Sequence, residues 1–389
     1  MRISANALTP GSTQLSSAIT GSGGTTISVL DYTGFPSTGN YYIMVDEEQM
    51  QVTGGQGTAT WTVTRGTNGT TAAAHLNAAF VFQSATSLIP IEPVMFEAMV
   101  ARYQPALMRN SFERFYESII VSEHSELKGV KIPASYEILA NLLSYAVKGS
   151  PTITPTGTGY SYAFTPTLTA DDLAGLGAEM GNDTAAYHIS ALYCDQLVID
   201  IVRGTDSTQT TADFAGQQAF AMGAKTPGLT RTGLNLVNPA YTATYLDTTT
   251  IGTTLVNDVE SAKITIKNGI QQLYFLNGKL FPTAIARPTR SLDLEIQKWF
   301  DDATELANAM NTVGNGVERK VRLTATGPQI GTGPTTNSLV IDSLGYWSTF
   351  PFKVDKDVWV LTMTGNSVYD VSYGGSWNVT LVNGLSAVP

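Results

Sequence analysis

Apolar and polar residues alternate with a period of two along the first part of the chain, which is the pattern of half-buried β-strands. The clearest example is segment 59–65, where Trp61 and Val63 fall on one face between threonines. The apolar residues at 25–30 predict another strand, and those at 41–53 predict one or two more. The chain therefore opens with several short strands separated by turns.

Turn, arm and linker segments mark the limits of this alternating region. Gly-Thr-Asn-Gly at 66–69 predicts a turn before a second apolar run that ends at Phe82. Residues 1 to about 25 are rich in Ser, Thr and Gly and predict an extended arm. Two prolines make 87–93 a stiff linker, since proline resists both helix and central strand. We therefore expect a small N-terminal β domain over residues 1–86.

After the linker the pattern predicts strands at 115–121 and 126–132 and then a helix at 134–148. Apolar residues fall three and four apart within this helix, at Ile138, Leu142, Tyr145 and Ala146. Gly-Ser-Pro at 149–151 ends it. Three more strands are predicted at 160–168, 171–180 and 187–203.

A similar order recurs later in the chain. Strands are predicted at 260–270 and 283–296, followed by a helix over 297–316. One face of that helix would carry Trp299, Leu306 and Met310. The last strands are predicted at 318–327, 337–350 and 358–365.

The order strand, strand, helix, strands therefore occurs twice. It predicts a mainly β (α+β) protein in which two tandem folds, each with one α-helix, follow the N-terminal domain. Their predicted bounds are 87–230 and 231–389. Residue identity between them is poor, so the repeat is one of pattern. The region 205–255 between them is polar and contains proline, and a long excursion of this kind usually has a function or contacts a partner.

Composition favours a structural role over a nucleic-acid-binding one. Only 14% of the 389 residues are charged, and the formal net charge is −10. No basic stripe is present of the kind that neutralises phosphates, so tight DNA binding is not expected. Low charge leaves uncharged surface for contacts between subunits, and an acidic surface would let DNA slide past without sticking.

Candidate chemistry is sparse. The chain lacks the spacings of hydrolase, zinc-protease and phosphate-loop motifs, so no catalytic, cofactor-binding or metal-binding residue is indicated and enzyme activity is not expected. Three histidines fall in separate elements, at His75, His124 and His188. Cys194 lies in a predicted strand, where we expect a buried structural thiol whose pKa is raised by the neighbouring Asp195.

Carboxylates cluster at three places: Asp46-Glu47-Glu48, Asp171-Asp172, and Asp301-Asp302 with Glu305. The favoured interpretation is a solvated acidic face. The alternative is that Asp301, Asp302 and Glu305 form an acidic wall that faces DNA or a neighbouring subunit. The chain has no apolar run long enough to span a bilayer and no visible secretory signal, so we expect folding in a cytoplasm.

Residues 34–53 (GFPSTGNYYIMVDEEQMQVT) and 60–82 (TWTVTRGTNGTTAAAHLNAAFVF) resemble a small β domain found on virion proteins of long-tailed bacteriophages. The most distinctive residues are Thr64-Arg65-Gly66 and the stretch 71–75. The rest of the chain resembles phage tail tube proteins of the duplicated kind, chiefly through 187–204 (YHISALYCDQLVIDIVRG), 259–270 (VESAKITIKNGI) and the repeated element order.

This resemblance implies two tail-tube-type β-sandwich or barrel folds and a structural function in the virion. Tail tube subunits join their sheets edge to edge into rings, here trimeric and pseudo-hexameric, that stack into a hollow tube for DNA delivery. The implied partners are other copies of the chain, the tape measure protein, and the tail tip and tail terminator proteins. DNA would pass through without tight binding, and the N-terminal domain would lie on the tube exterior. Assembly would take place in the bacterial host cytoplasm.

Two alternatives stay open at this level. The chain could be another virion part that carries the same small domain, such as a tail tip or capsid decoration protein, which predicts no internal repeat. It could also be a carbohydrate-binding or depolymerising β protein. That function predicts a cleft lined by aromatic residues with paired carboxylates.

Overall fold

The computed structural model describes residues 2–5, 12–92, 96–103, 119–147, 151–166, 175–182, 185–204, 207–222, 225–229, 234–276, 278–286, 290–300, 303–309, 317–355 and 357–387. Strands account for 56% of the structure and helices for 7%. The fold is therefore mainly β, as the period-two patterns predict.

The N-terminal domain forms its own antiparallel sheet, in the order β2-β7-β4-β5-β6-β3. Strand β1 (Arg2–Ala5) precedes it and pairs with the main body instead. The six strands are β2 (Ser12–Gln14), β3 (Thr26–Ser28), β4 (Tyr41–Val45), β5 (Glu48–Gly54), β6 (Thr60–Thr64) and β7 (Phe80–Gln83). Trp61 and Val63 are both buried, which confirms the shared face. The indole of Trp61 meets the rings of Phe35 and Tyr41 edge-on at centroid distances of 4.9 and 5.9 Å.

The next part of the chain adds nine strands and one helix. The strands are β8 (Ser87–Leu88), β9 (Phe96–Tyr103), β10 (Ile119–Pro133), β11 (Thr152–Thr156), β12 (Gly159–Phe164), β13 (Leu176–Gly181), β14 (Ala186–Val202), β15 (Gln209–Gly216) and β16 (Ala219–Met222). Strand β10 covers both strands predicted between 115 and 132, although 115–118 lie outside the described residues. Helix α1 (Tyr136–Ala146) confirms the predicted helix, and the Ser135 hydroxyl caps it by accepting from the Ile138 amide at 3.1 Å.

The remainder contributes eleven strands and a short helix. The strands are β17 (Thr242–Asp247), β18 (Leu255–Val256), β19 (Val259–Lys267), β20 (Gln271–Leu273), β21 (Ala284–Ala286), β22 (Ser291–Trp299), β23 (Arg319–Gln329), β24 (Thr336–Thr349), β25 (Phe352–Asp355), β26 (Val358–Ser367) and β27 (Trp377–Asn383). Helix α2 is Thr304–Ala309.

The predicted helix over 297–316 is therefore too long at its start. Residues 297–299 belong to β22, because β22 pairs with β19 on one side and with β26 on the other. Trp299 is a strand residue, so it does not share a helix face with Leu306. Met310 lies outside the described residues. The pairing of β22 on both sides outweighs the local helical spacing.

Eight strands form a curved antiparallel sheet in the order β9-β10-β15-β14-β19-β22-β26-β25, which we call the long sheet. Strands of the two predicted tandem folds meet within it, where β14 pairs with β19. A second set of strands runs in the order β18-β17-β23-β24-β27-β12-β11. Helix α1 contacts β14 of the first set and β12, β24 and β27 of the second. One apolar core is shared by both sets.

Strand β24 links the two sets. Its first part pairs with β23 and β27, and its last residues pair with β26. The change occurs at Gly345, where a Cβ would overlap the carbonyl oxygen of Asn366. Only glycine allows the two backbones to approach this closely.

The N-terminal domain packs on the main body through a small apolar contact. Met44 and Phe82 of the domain are buried against Ala186, with Phe220 packed beside them. The imidazole of His188 lies against the ring of Phe82 at a centroid distance of 4.6 Å. His188 is 1% exposed, and neither ring nitrogen has a hydrogen-bond partner among the described residues. The contact therefore contains a histidine that is buried in its neutral form.

We expect this histidine to make the folded protein sensitive to mild acid. Burial lowers the pKa of His188 from 6.5 to about 4. The unfolded chain takes up a proton below about pH 6.5, whereas the folded chain does so only near pH 4, so stability is lost as the pH falls through this interval. His188→Phe should remove up to about 3 kcal/mol of this loss. Thermal melting from pH 7.5 to 4 measures it.

The control is the comparison at pH 7.5, where His188→Phe should be at least as stable as the wild type because no unpaired polar group is buried. Parallel stability curves for the two proteins between pH 6.5 and 4 would contradict the assignment.

Candidate functional site

One face of the long sheet packs on the apolar core, and the other carries polar side chains. In β22, Leu292, Leu294 and Ile296 are buried, whereas Asp293 and Glu295 point to the opposite face. Neighbouring strands are in register, so these polar positions form rows across the sheet. The rows are Asp213, Gln196, Lys267 and Ser291; Lys131, Thr211, Thr265, Asp293 and Asn366, interrupted by the buried Val198; and Gln209, Asp200, Lys263, Glu295 and Thr364. We call this set the polar face.

Positive and negative charges are balanced across the polar face. Lys263 lies between Asp200 and Glu295 in adjacent strands. The Lys267 ammonium lies 2.5 Å from a carboxylate oxygen of Asp293. Three lysines stand with four acids in these rows. The face is therefore hydrophilic but offers no uncompensated run of cations to a phosphate backbone.

Both lateral edges of the long sheet are free within the described part of the chain. At one edge β9 pairs only with β10, and Val100 and Ala101 are exposed. At the other edge β25 pairs only with β26, and Phe352 and Val354 are 42% and 57% exposed. Unpaired edge strands with exposed apolar residues are a template for pairing with another chain.

The acidic cluster predicted on the second helix is not a solvated face at Glu305. This side chain is buried and accepts two hydrogen bonds from Arg319, at 2.9 and 2.5 Å. The indole of Trp347 donates a third at 3.1 Å. The prediction of an exposed, solvated acidic face is therefore wrong for Glu305, whereas a wall that faces DNA or a neighbouring subunit stays a prediction. Asp301 and Asp302 lie outside the described residues.

The distinctive residues of the N-terminal domain converge on Glu48. Arg65 Nε and Nη2 donate to its carboxylate at 2.7 and 2.6 Å, and the amides of Gly66 and Ala73 donate at 2.9 and 3.0 Å. Nε2 of His75 lies 2.8 Å away. Burial alone would raise the pKa of Glu48, but these hydrogen bonds outweigh it and lower the pKa to about 2. The motif therefore holds the loop between β6 and β7 against β5, and its acid is not part of a solvated surface.

Cys194 and His75, two further residues that the sequence analysis considered, are buried inside the protein. The Cys194 thiol is buried, and burial together with Asp195 and Asp213 raises its pKa, which confirms the sequence prediction. His75 Nδ1 lies 2.7 Å from Asp46. Across the residues that the structure describes, no group of three or more His, Cys, Asp or Glu side chains is arranged to hold a metal ion.

The polar face is a feature that the strand patterns did not predict. Its signal was present in 259–267 and 291–299, where Lys, Thr, Asp and Glu alternate with aliphatic residues. What the sequence lacked was the register that places these strands beside β14.

No family model and no curated protein matches this chain. Within the described residues no helix is both long and apolar enough to cross a membrane.

The buried position of Glu305 predicts a large stability effect. Glu305→Ala leaves the Arg319 guanidinium buried without its carboxylate, which should cost about 3–5 kcal/mol. The matched control is Glu295→Ala, which removes an exposed carboxylate and should cost less than about 0.5 kcal/mol. Denaturant unfolding followed by circular dichroism measures both, and equal costs for the two variants would contradict the buried pair.

Proposed function

We propose that this chain is a structural subunit that assembles with copies of itself into rings, which stack into a hollow tube of the kind found in long-tailed bacteriophage tails. The observation that carries the proposal is the polar face: a hydrophilic surface on a curved sheet, open to solvent, whose two edge strands have no further partner strand among the described residues. A sheet of this kind suits the wall of a water-filled channel. Its apolar side would face the protein layer outside.

The two free edges support ring closure. Pairing of β25 in one copy with β9 in the next would remove both unpaired edges and continue the polar face around a ring. The order strand, helix, strand occurs in both halves of the chain, so each copy would supply two similar sectors. Three copies would then complete a ring with pseudo-six-fold symmetry.

The charges of the polar face support passage of DNA without binding. A channel for DNA must be hydrophilic. It must also avoid many cation–phosphate contacts, because each such contact releases a counterion and so strengthens DNA binding. Lys263, which lies between Asp200 and Glu295, and Lys267, which is bound to Asp293, meet both requirements. The implied location is the virion, and the implied partners are the tape measure, tail tip and tail terminator proteins together with DNA in transit.

Two observations bear on the alternatives. The repeated element order favours a tube subunit over a tail tip or capsid decoration protein. A carbohydrate-degrading function needs free paired carboxylates. Beside the exposed Trp299, however, Asp258 lies 3.0 Å from Lys298 and Glu305 is paired with Arg319.

Electron microscopy of the purified, concentrated protein tests the assembly. We expect hollow tubes with a regular axial repeat and end views of three-fold or six-fold symmetry. Addition of the tape measure and tail tip proteins supplies an initiator where the subunit alone is slow to assemble. Solid fibres, or a protein that stays monomeric with these partners present, would contradict the proposal.

A charge reversal on the polar face tests its orientation. Glu295→Lys places a lysine beside Lys263 and should make assembled tubes retain short double-stranded DNA about tenfold more strongly at low salt, with the effect lost as salt rises. Glu47→Lys makes the same change at an exposed position of the N-terminal domain and is the matched control. Co-sedimentation of DNA with tubes is the measurement. Equal retention by the two variants would place the polar face outside the channel.

A further inference from the structure

The long sheet has two ends along its strand direction, and the two ends differ. At the first end, the chain leaves β19 at Lys267 and returns to β22 at Ser291 through the hairpin formed by β20 and β21. At the second end lie the start of β19 at Val259 and the end of β22 at Trp299. Because β19 and β22 are adjacent antiparallel strands, the hairpin and Trp299 lie at opposite ends of the same pair.

The hairpin carries an exposed apolar tip on a fixed base. Tyr274, Phe275 and Leu276 are 42%, 55% and 110% exposed. The base is held because Ile270 and Ile285 pack on Ala191 and Tyr193. The carbonyl of Leu280 also accepts a hydrogen bond from the Glu123 amide at 2.8 Å. Consecutive large apolar side chains on a positioned hairpin are a feature of interaction surfaces.

The second end carries a groove on both sides of Trp299, whose side chain is 54% exposed. One part has a volume of about 520 Å³ and is lined by Leu255, Val256 and Thr304 among others. The adjoining part, beside Arg203 and Glu260, has a volume of about 410 Å³. These volumes fall in the range of roughly 300–1,000 Å³ that is typical of sites that enclose a ligand-sized group.

In the larger part of the groove, the four charged side chains of the wall form two ion pairs. Lys298 is bound to Asp258 at 3.0 Å, and Arg319 is bound to Glu305. An apolar group can therefore enter this larger part without separating either ion pair. Leu255 and Trp299 supply apolar surface at the mouth.

We propose that the hairpin tip around Phe275 and Leu276 enters the groove beside Trp299 of a second copy of the chain. This inference rests on the proposed function and names the contact that joins one ring to the next. A contact between opposite ends of identical molecules is heterologous, so it leaves a free tip and a free groove at each step and repeats without closing. Its direction follows the strands, along the axis of the channel that the polar face would line.

Engineered cysteines test the contact directly, because the native Cys194 is buried and does not compete for a thiol reagent. Leu276→Cys combined with Leu255→Cys, treated with a short bis-maleimide, should give a ladder of covalent multimers in denaturing gels. Each single variant alone should give little product, and the two single variants mixed should stop at dimers. The matched control pairs Leu276→Cys with Leu30→Cys, an exposed leucine of the N-terminal domain.

A second variant tests the energetic role of the tip. Leu276→Asp should keep the circular dichroism spectrum and melting temperature of the wild type but shorten the tubes to single rings or short stacks. Leu30→Asp is its control and should leave tube length unchanged.

The contact is overturned if the Leu276/Leu255 pair gives no more multimers than the Leu276/Leu30 pair, or if Leu276→Asp tubes reach wild-type length. Failure of the proposed function gives a different result. In that case the ladder forms while microscopy shows solid head-to-tail filaments without a channel.

Discussion

The pairing of β14 with β19 is the interaction on which the rest of the structure depends. It runs from Gln196 opposite Lys267 to Val202 opposite Ser261 and joins the two predicted tandem folds within one sheet. Without it the polar face would be divided into two narrower sheets with two further free edges. The pairing also sets Asp200 beside Lys263, so the same backbone hydrogen bonds that join the halves determine the charge balance of the surface.

Buried charges in this molecule fix the positions of segments. Glu48 holds the loop that follows β6, and Glu305 ties α2 to β23 through Arg319 and to β24 through Trp347. In both clusters each carboxylate oxygen accepts at least one hydrogen bond. A buried ion pair of this kind adds little net stability but strongly penalises arrangements that leave one partner alone.

The long sheet has a polar centre and exposed apolar residues at its edges and ends. The centre of the long sheet is polar, whereas exposed apolar side chains occur on its edge strands β9 and β25, on the hairpin tip at the first end and around Trp299 at the second. Apolar groups at both edges and both ends suit lateral and axial association, and the polar centre suits contact with water. The small N-terminal domain packs on β14 and β16 through Phe82.

The sequence by itself determined the features that depend on neighbours along the chain. These are the alternating strands of the N-terminal domain, helix α1, and the buried thiol of Cys194. It could not determine features set by distant residues. The spacing in 297–316 favoured a long helix, but residues 297–299 are a strand because they pair with β26. Glu305 is buried because it forms an ion pair with Arg319. The polar face depends on register between strands that include distant pairs, such as β14 with β19 and β22 with β26, whose partners lie more than fifty residues apart. Only the tertiary structure decides that register, because period-two alternation tells which residues share a face and not which strand lies beside them.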